Sequence, residues 1–165
     1  SDQHGLPESV ERYPMKPIAC ALAFSTLLMA PLAAIGSALT VRLADTDFVM
    51  EVVADPDSRR QGLMGRENLP FGTGMLFDFP DGTRPAIWMR NMQISLDLVF
   101  VAADGRIAHL FERVPPCADL PCAIYQAEAP LRWVLELPAG SVDTLGLKVG
   151  DNLDLSMLPA EPPLN

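Results

Sequence analysis

The sequence predicts a mainly β domain with minor α, a small β-barrel or sandwich with two short helices. Three observations point there. Short apolar runs rich in valine, leucine and phenylalanine recur along the chain, separated by closely spaced Pro, Gly and Asp turn signals. One run, Ile94 to Ala102, meets the dipeptide Asp104-Gly105, the turn chemistry of a tight hairpin. Only two segments carry helix-start chemistry, and both are short.

Val41 to Val53 alternates and reads as a strand broken near Asp45-Thr46-Asp47. Asp55-Pro56 is a helix start, with aspartate as N-cap and proline in the first turn. The helix is expected over Ser58 to Met64, stopping at Gly65. Asn68 to Gly74 is a loop, Met75 to Phe79 a strand, and Pro80 to Thr83 a turn. Ala86 to Arg90 is a further strand carrying Trp88 and Met89. After the Ile94 to Ala102 strand and its turn, Arg106 to Arg113 returns antiparallel. Tyr125 to Ala127 is read as a short edge strand, and Trp133 to Leu137 as a strand ending at Pro138-Ala139-Gly140. Ser141 to Leu145 suits a second short helix with Ser141 as N-cap and Gly146 as its stop. Val149-Gly150-Asp151 turns into a last strand, Asn152 to Met157, and the Pro-rich tail 159–165 is expected to be extended and mobile.

The 165 residues suffice for one domain, and a hydrophobic fraction of 49% supplies a core. The stretch Ile18 to Leu39 has no charge and follows Met15-Lys16-Pro17, the pattern of a secretory signal. Gly36 and Ala38 suit the small-residue positions before a cut, so cleavage is expected after Ala38. That leaves a leader over 1–38, with Met15 as its natural start, and a globular domain over 39–158. The rival reading is an uncleaved anchor helix, which Pro31 and Gly36 disfavour. The expected compartment is therefore periplasmic or extracytoplasmic, with membrane contact only through the N-terminal segment.

The formal net charge of -9 disfavours phosphate backbones as partners. The basic residues after position 38 are arginines apart from Lys148, and they are scattered, so no nucleic-acid footprint forms. Cys20 falls in the apolar leader. Cys117 and Cys122, in Pro-Pro-Cys-Ala-Asp-Leu-Pro-Cys, most simply form a disulfide in an oxidising compartment. The spacing is not that of a redox Cys-x-x-Cys, and no second cysteine pair completes a zinc site.

The central block is more distinctive than these signals. It reads Arg60-x-Gly62-Leu63-Met64-x-Arg66, then Gly74-Met75-Leu76-Phe77-x-Phe79, then Ile87-Trp88-Met89-Arg90-Asn91, then Ile94-x-Leu96-Asp97-x-x-Phe100. Together with the cysteine loop and Leu147-Lys148-Val149-Gly150-Asp151, this run resembles the domain of unknown function 192 family, also called uncharacterised protein family 0127. The resemblance covers about Val41 to Met157. The chain departs from the family pattern at Arg90, Met92 and Ser95, where lysine, threonine and proline are usual. The resemblance implies a compact β-rich domain that is commonly exported or membrane-anchored. It implies no reaction.

No HExxH, GxSxG, Walker or GxGxxG pattern occurs. His109 is the only histidine after the predicted cut and lies in a hairpin strand with no nucleophile elbow beside it. Asp97 stands on the strand face shared with Val99 and Val101, and a carboxylate there needs a partner. Arg60, Arg66, Arg90 and Asn91 are candidates. Such a cluster is either a structural ion pair or a polar pocket in which arginines grip an anionic group with Trp88 as one wall. The leading expectation is a noncatalytic binding or accessory domain of the cell envelope. Its cleft would be lined by Arg60, Arg66, Trp88, Asn91 and Asp97, for an unknown small ligand or envelope protein. An envelope-acting enzyme with Asp97 as general base is one alternative. A copper or other metal carrier through Met89, Met92 and His109 is another, although methionine is also ordinary core filler. No cofactor is expected.

Overall fold

The computed structural model describes residues 37–160. Residues 1–36 of the leader expected over 1–38, and the tail beyond Ala160, lie outside the described residues. Ten elements follow one another: β1 (Ala38–Leu43), β2 (Thr46–Val53), α1 (Pro56–Gln61), β3 (Thr73–Asp78), β4 (Ala86–Trp88), β5 (Leu96–Val101), β6 (Ile107–Val114), β7 (Ile124–Gln126), β8 (Trp133–Pro138) and α2 (Ser141–Leu145).

Six strands form one mixed sheet in the order β1-β2-β3-β8-β5-β6, and β4 pairs with β7 in a separate two-stranded ribbon. Only β2 and β3 run parallel, joined by the crossover that contains α1. The large sheet is open, with β1 and β6 as its edges. Of the two expected architectures the sandwich-like one stands, and the closed barrel does not.

Strand alternation gives the sheet an apolar layer on each face. The first layer gathers Phe48, Met50, Leu76, Val99, Val101, Leu135 and Leu137 under Val142 of α2 and the C-terminal residues Leu147, Leu153 and Leu155. The second gathers Met75, Phe77, Leu96, Leu98, Phe100 and Val134 under Leu63, Met89 and Ile87 of the ribbon. Strands covered on both faces read as continuous apolar runs, which is why Leu96 to Val101 is buried without a break.

Asp104-Gly105 makes the expected hairpin, the Gly105 N–H donating to the Ala102 carbonyl. Gly105 has φ 88°, and a Cβ there would stand 2.5 Å from the Leu153 carbonyl oxygen, so glycine is required twice over. Asn152 to Met157 is not a strand: it makes one isolated bridge, Arg106 to Asn152, and is held by burial of Leu153 and Leu155. The N-cap of α2 is Gly140, not Ser141, whose hydroxyl instead donates to the Pro138 carbonyl at 2.6 Å. Pro159 and Ala160, the start of the expected mobile tail, are held by their carbonyls to the Arg132 guanidinium. Cys117 and Cys122 form the expected disulfide.

Candidate ligand-binding cleft

The crossover after β2 builds one wall of a cleft. Asp55 caps α1, its Oδ1 accepting from the Asp57 N–H at 3.0 Å and the Ser58 N–H at 2.9 Å. Gly62, at φ 46°, ends the helix and brings the chain against Phe77, where a Cβ would come within 3.2 Å of the ring. Leu63 then turns into the second layer. Arg59 is committed to this frame. It donates to the carbonyls of Ala54 and Asp78 and lies 5.2 Å from the ring centre of Phe79. Arg60 points outward and is paired, among the described residues, with Asp57, at 2.9 Å between two exposed side chains.

The floor comes from β8. Val134 faces the second layer, so Glu136 does as well, in register with Met75 on one neighbour and Leu98 on the other. Its carboxyl is therefore set into apolar surroundings at 5% exposure. Burial pushes it up to about 8, so the group is largely the neutral acid at pH 7. Its Oε2 is buried without a hydrogen-bond partner among the described residues. The other buried acids are satisfied. Asp78 accepts from Arg132 Nε at 2.8 Å, and Asp97 accepts from the backbone N–H groups of Arg113 and Val142 at 2.7 and 2.8 Å.

Above Glu136 the cleft encloses about 210 Å³ between Leu63, Met64, Phe77, Phe79, Ile87 and Trp88, with Arg59 and Arg60 beside them. Trp88 is 41% exposed, and the Arg90 guanidinium lies 5.4 Å from its ring centre. A shallower depression adjoins the mouth, sharing Arg60, Met64 and Trp88 and adding Asp57, Arg90 and Asn91. A larger hollow of about 640 Å³ lies elsewhere, between Arg132, Trp133 and residues 153–160. Its rim includes Leu158, Pro159 and Ala160, at the boundary of the described residues. Trp133, whose indole N–H is buried without a hydrogen-bond partner among the described residues, belongs to its lining.

The structure thus brings together Arg60, Trp88 and Asn91 around one opening and places the other two expected residues apart. Arg66 makes a two-pronged ion pair with Glu51, at 2.5 and 2.6 Å, and its hydrogen bonds hold Glu51 below the usual carboxylate range. Asp97 contacts none of the arginine side chains proposed for it. It shares the face of Val99 and Val101, as strand alternation requires, but that face is the first layer, and the cleft lies over the second. Both its oxygens are engaged by backbone N–H groups, one of them at the start of α2, so Asp97 ties α2 to β5 and β6. Met89 is buried in the second layer beside Met92, and His109 stacks on Phe111 at 6.4 Å. Sequence reasoning missed Glu136. Its signal was the one that exposed Asp97, a carboxylate inside an apolar strand, here in Trp-Val-Leu-Glu-Leu.

Residues 39–155 match the family described as DUF192, Uncharacterized ACR. The chain belongs to this family. Two solved structures share its fold. One, from Sinorhizobium meliloti, is provisionally described as a transcription regulator. It is 37% identical over 72% of this chain and 92% of its own, with a TM-score of 0.65. The other, from Novosphingobium aromaticivorans, is a protein of unknown function. It is 28% identical over 76% of this chain and 89% of its own, with a TM-score of 0.66. No curated protein matches the chain.

Proposed function

We propose that this member of the family is a noncatalytic binding or accessory domain of the cell envelope, and that it holds a small ligand in the cleft floored by Glu136. The observation that carries the proposal is that Glu136, a buried carboxyl whose Oε2 has no hydrogen-bond partner among the described residues, belongs to the lining of a mostly apolar hollow. A buried polar group without a partner is costly to folding, of the order of 1–3 kcal/mol, and a ligand that hydrogen-bonds it relieves that cost. Apolar walls with one or two placed polar groups are the usual make-up of small-molecule sites. Export is supported by the uncharged stretch Ile18 to Leu39 and by the Cys117–Cys122 disulfide. The net charge of -9 supports a partner other than nucleic acid.

A raised carboxyl pKa also suits a general acid, which gives an enzyme reading its one supporting observation. The rest of the lining favours binding. Besides Glu136 the described lining of the cleft is arginines, Gln61 and apolar groups, and the Asp57 carboxylate in the adjoining depression is paired with Arg60. Native mass spectrometry of protein purified from its own periplasm, with metal analysis of the same sample, tests the proposal. A copurifying small molecule that is lost in Glu136→Leu supports it. A ligand retained by Glu136→Leu, or copper bound through methionine, overturns it.

A further inference from the structure

The charges around the cleft restrict what it can take, given that it is a binding site as proposed above. On a strongly acidic chain the mouth is locally basic. Arg60 stands at the rim, Arg90 beside it over Trp88, and Arg59 in the wall, against the single carboxylate of Asp57. At the far end Glu136 offers a hydroxyl donor and acceptor oxygens within a sleeve of Met75, Leu98 and Phe77. Between the ends the walls are aromatic and aliphatic. An ammonium group would meet arginines on entry. A purely apolar molecule would leave the Glu136 carboxyl without a hydrogen-bond partner.

We infer that the cleft takes a small organic anion with an aromatic or aliphatic body and a hydroxyl or carbonyl at the end remote from its charge. The anionic head faces Arg60 and Arg90, the body lies against Trp88, Met64 and Phe79, and the remote oxygen hydrogen-bonds the Glu136 carboxyl. A volume of about 210 Å³ admits one ring with short substituents. An apolar cavity of about 150 Å³ already holds a benzene.

The test uses three ring compounds of one size: 4-hydroxyphenylacetate, phenylacetate and tyramine. Each is titrated into the oxidised protein, with binding read from amide and indole NMR shifts of Gly62, Leu63 and Trp88. Of the three, 4-hydroxyphenylacetate should bind tightest. It should exceed phenylacetate by about fivefold to tenfold, the worth of one hydrogen bond to a buried group, and exceed tyramine by at least as much. In Glu136→Leu the advantage of the hydroxyl should vanish, and in Arg60→Glu that of the carboxylate over the ammonium should vanish or reverse. Equal or tighter binding of tyramine, or no gain from the hydroxyl in the native protein, overturns the ligand class and leaves the binding site standing. No shift at these residues with any of the three compounds at millimolar concentration overturns the binding reading itself. Should Glu136→Leu fail to fold, the hydroxyl comparison in the native protein carries the test alone.

Discussion

Glu136→Gln isolates the electrostatic cost of the cleft floor, because the amide keeps the shape of the neutral acid and cannot ionise. Glu136 titrates near 4.5 when solvated and is pushed up to about 8 by burial in the folded domain. Below pH 4.5 both the folded and the unfolded chain carry the proton, and the native protein keeps its full stability. Between pH 4.5 and 8 the unfolded chain ionises while the folded one does not, so stability falls as pH rises. At pH 7 the loss amounts to about 3 kcal/mol, at 1.36 kcal/mol per pH unit. Above pH 8 it saturates near ~5 kcal/mol. The substitution removes that dependence. It should change stability little near pH 4 and raise it by about 3 kcal/mol at pH 7, of the order of 10 °C in Tm for a domain of this size. Urea denaturation of both proteins at pH 4, 5.5, 7 and 8.5 reads the difference directly. Parallel stability curves across that range would refute the placement of a neutral carboxyl in the second layer.

Other consequences follow from the same contacts. Asp97→Ala leaves the N–H groups of Arg113 and Val142 without their acceptor and should cost about 3–5 kcal/mol in chemical denaturation, while any Glu136-dependent ligand binding of the folded fraction persists. Replacing Cys117 and Cys122 together by serine opens a short loop, with an expected loss of about 2 kcal/mol and no change in NMR shifts at Gly62 or Leu63. Arg66→Ala removes an ion pair whose side chains are 39% and 43% exposed, so the loss should stay within about 1 kcal/mol and shrink further at high salt.

Much of this architecture was legible because turn chemistry and apolar runs are local signals. Asp104-Gly105 sits where it must, with a glycine that no other residue could replace, and Asp55-Pro56 starts α1 as its cap chemistry requires. The segment Asn152 to Met157 misled because Leu153 and Leu155 alternate like a strand, yet alternation reports only a half-buried extended chain and not a pairing partner. Barrel or sandwich was undecided for a related reason, since closure depends on whether the edge strands β1 and β6 meet.

The site was legible in part. Arg60, Trp88 and Asn91 lie close in sequence to the turns that build the mouth, so their grouping followed from the motif. Asp97 was placed on the correct face of its own strand, but one strand does not say which layer will cover that face. Here α2 and the C-terminal segment cover it, and the cleft formed on the other side. Glu136 carried the same kind of signal in β8. Its importance rests on having no partner where Asp97 and Asp78 each have one, and partners are settled by the tertiary fold.

Glu136 stands neutral beneath the cleft, without a hydrogen-bond partner for Oε2 among the described residues. Carbon-13 NMR of the glutamate side-chain carboxyls, with Glu136 assigned by its loss in Glu136→Gln, measures this at the atom concerned. One carboxyl resonance should titrate with a midpoint of about 8, the value that burial imposes, well above the ordinary glutamate range. A Glu136 resonance that titrates between about 4 and 5 with the other glutamates would contradict it, because the carboxyl would then be solvated or paired and the cleft would have no neutral floor.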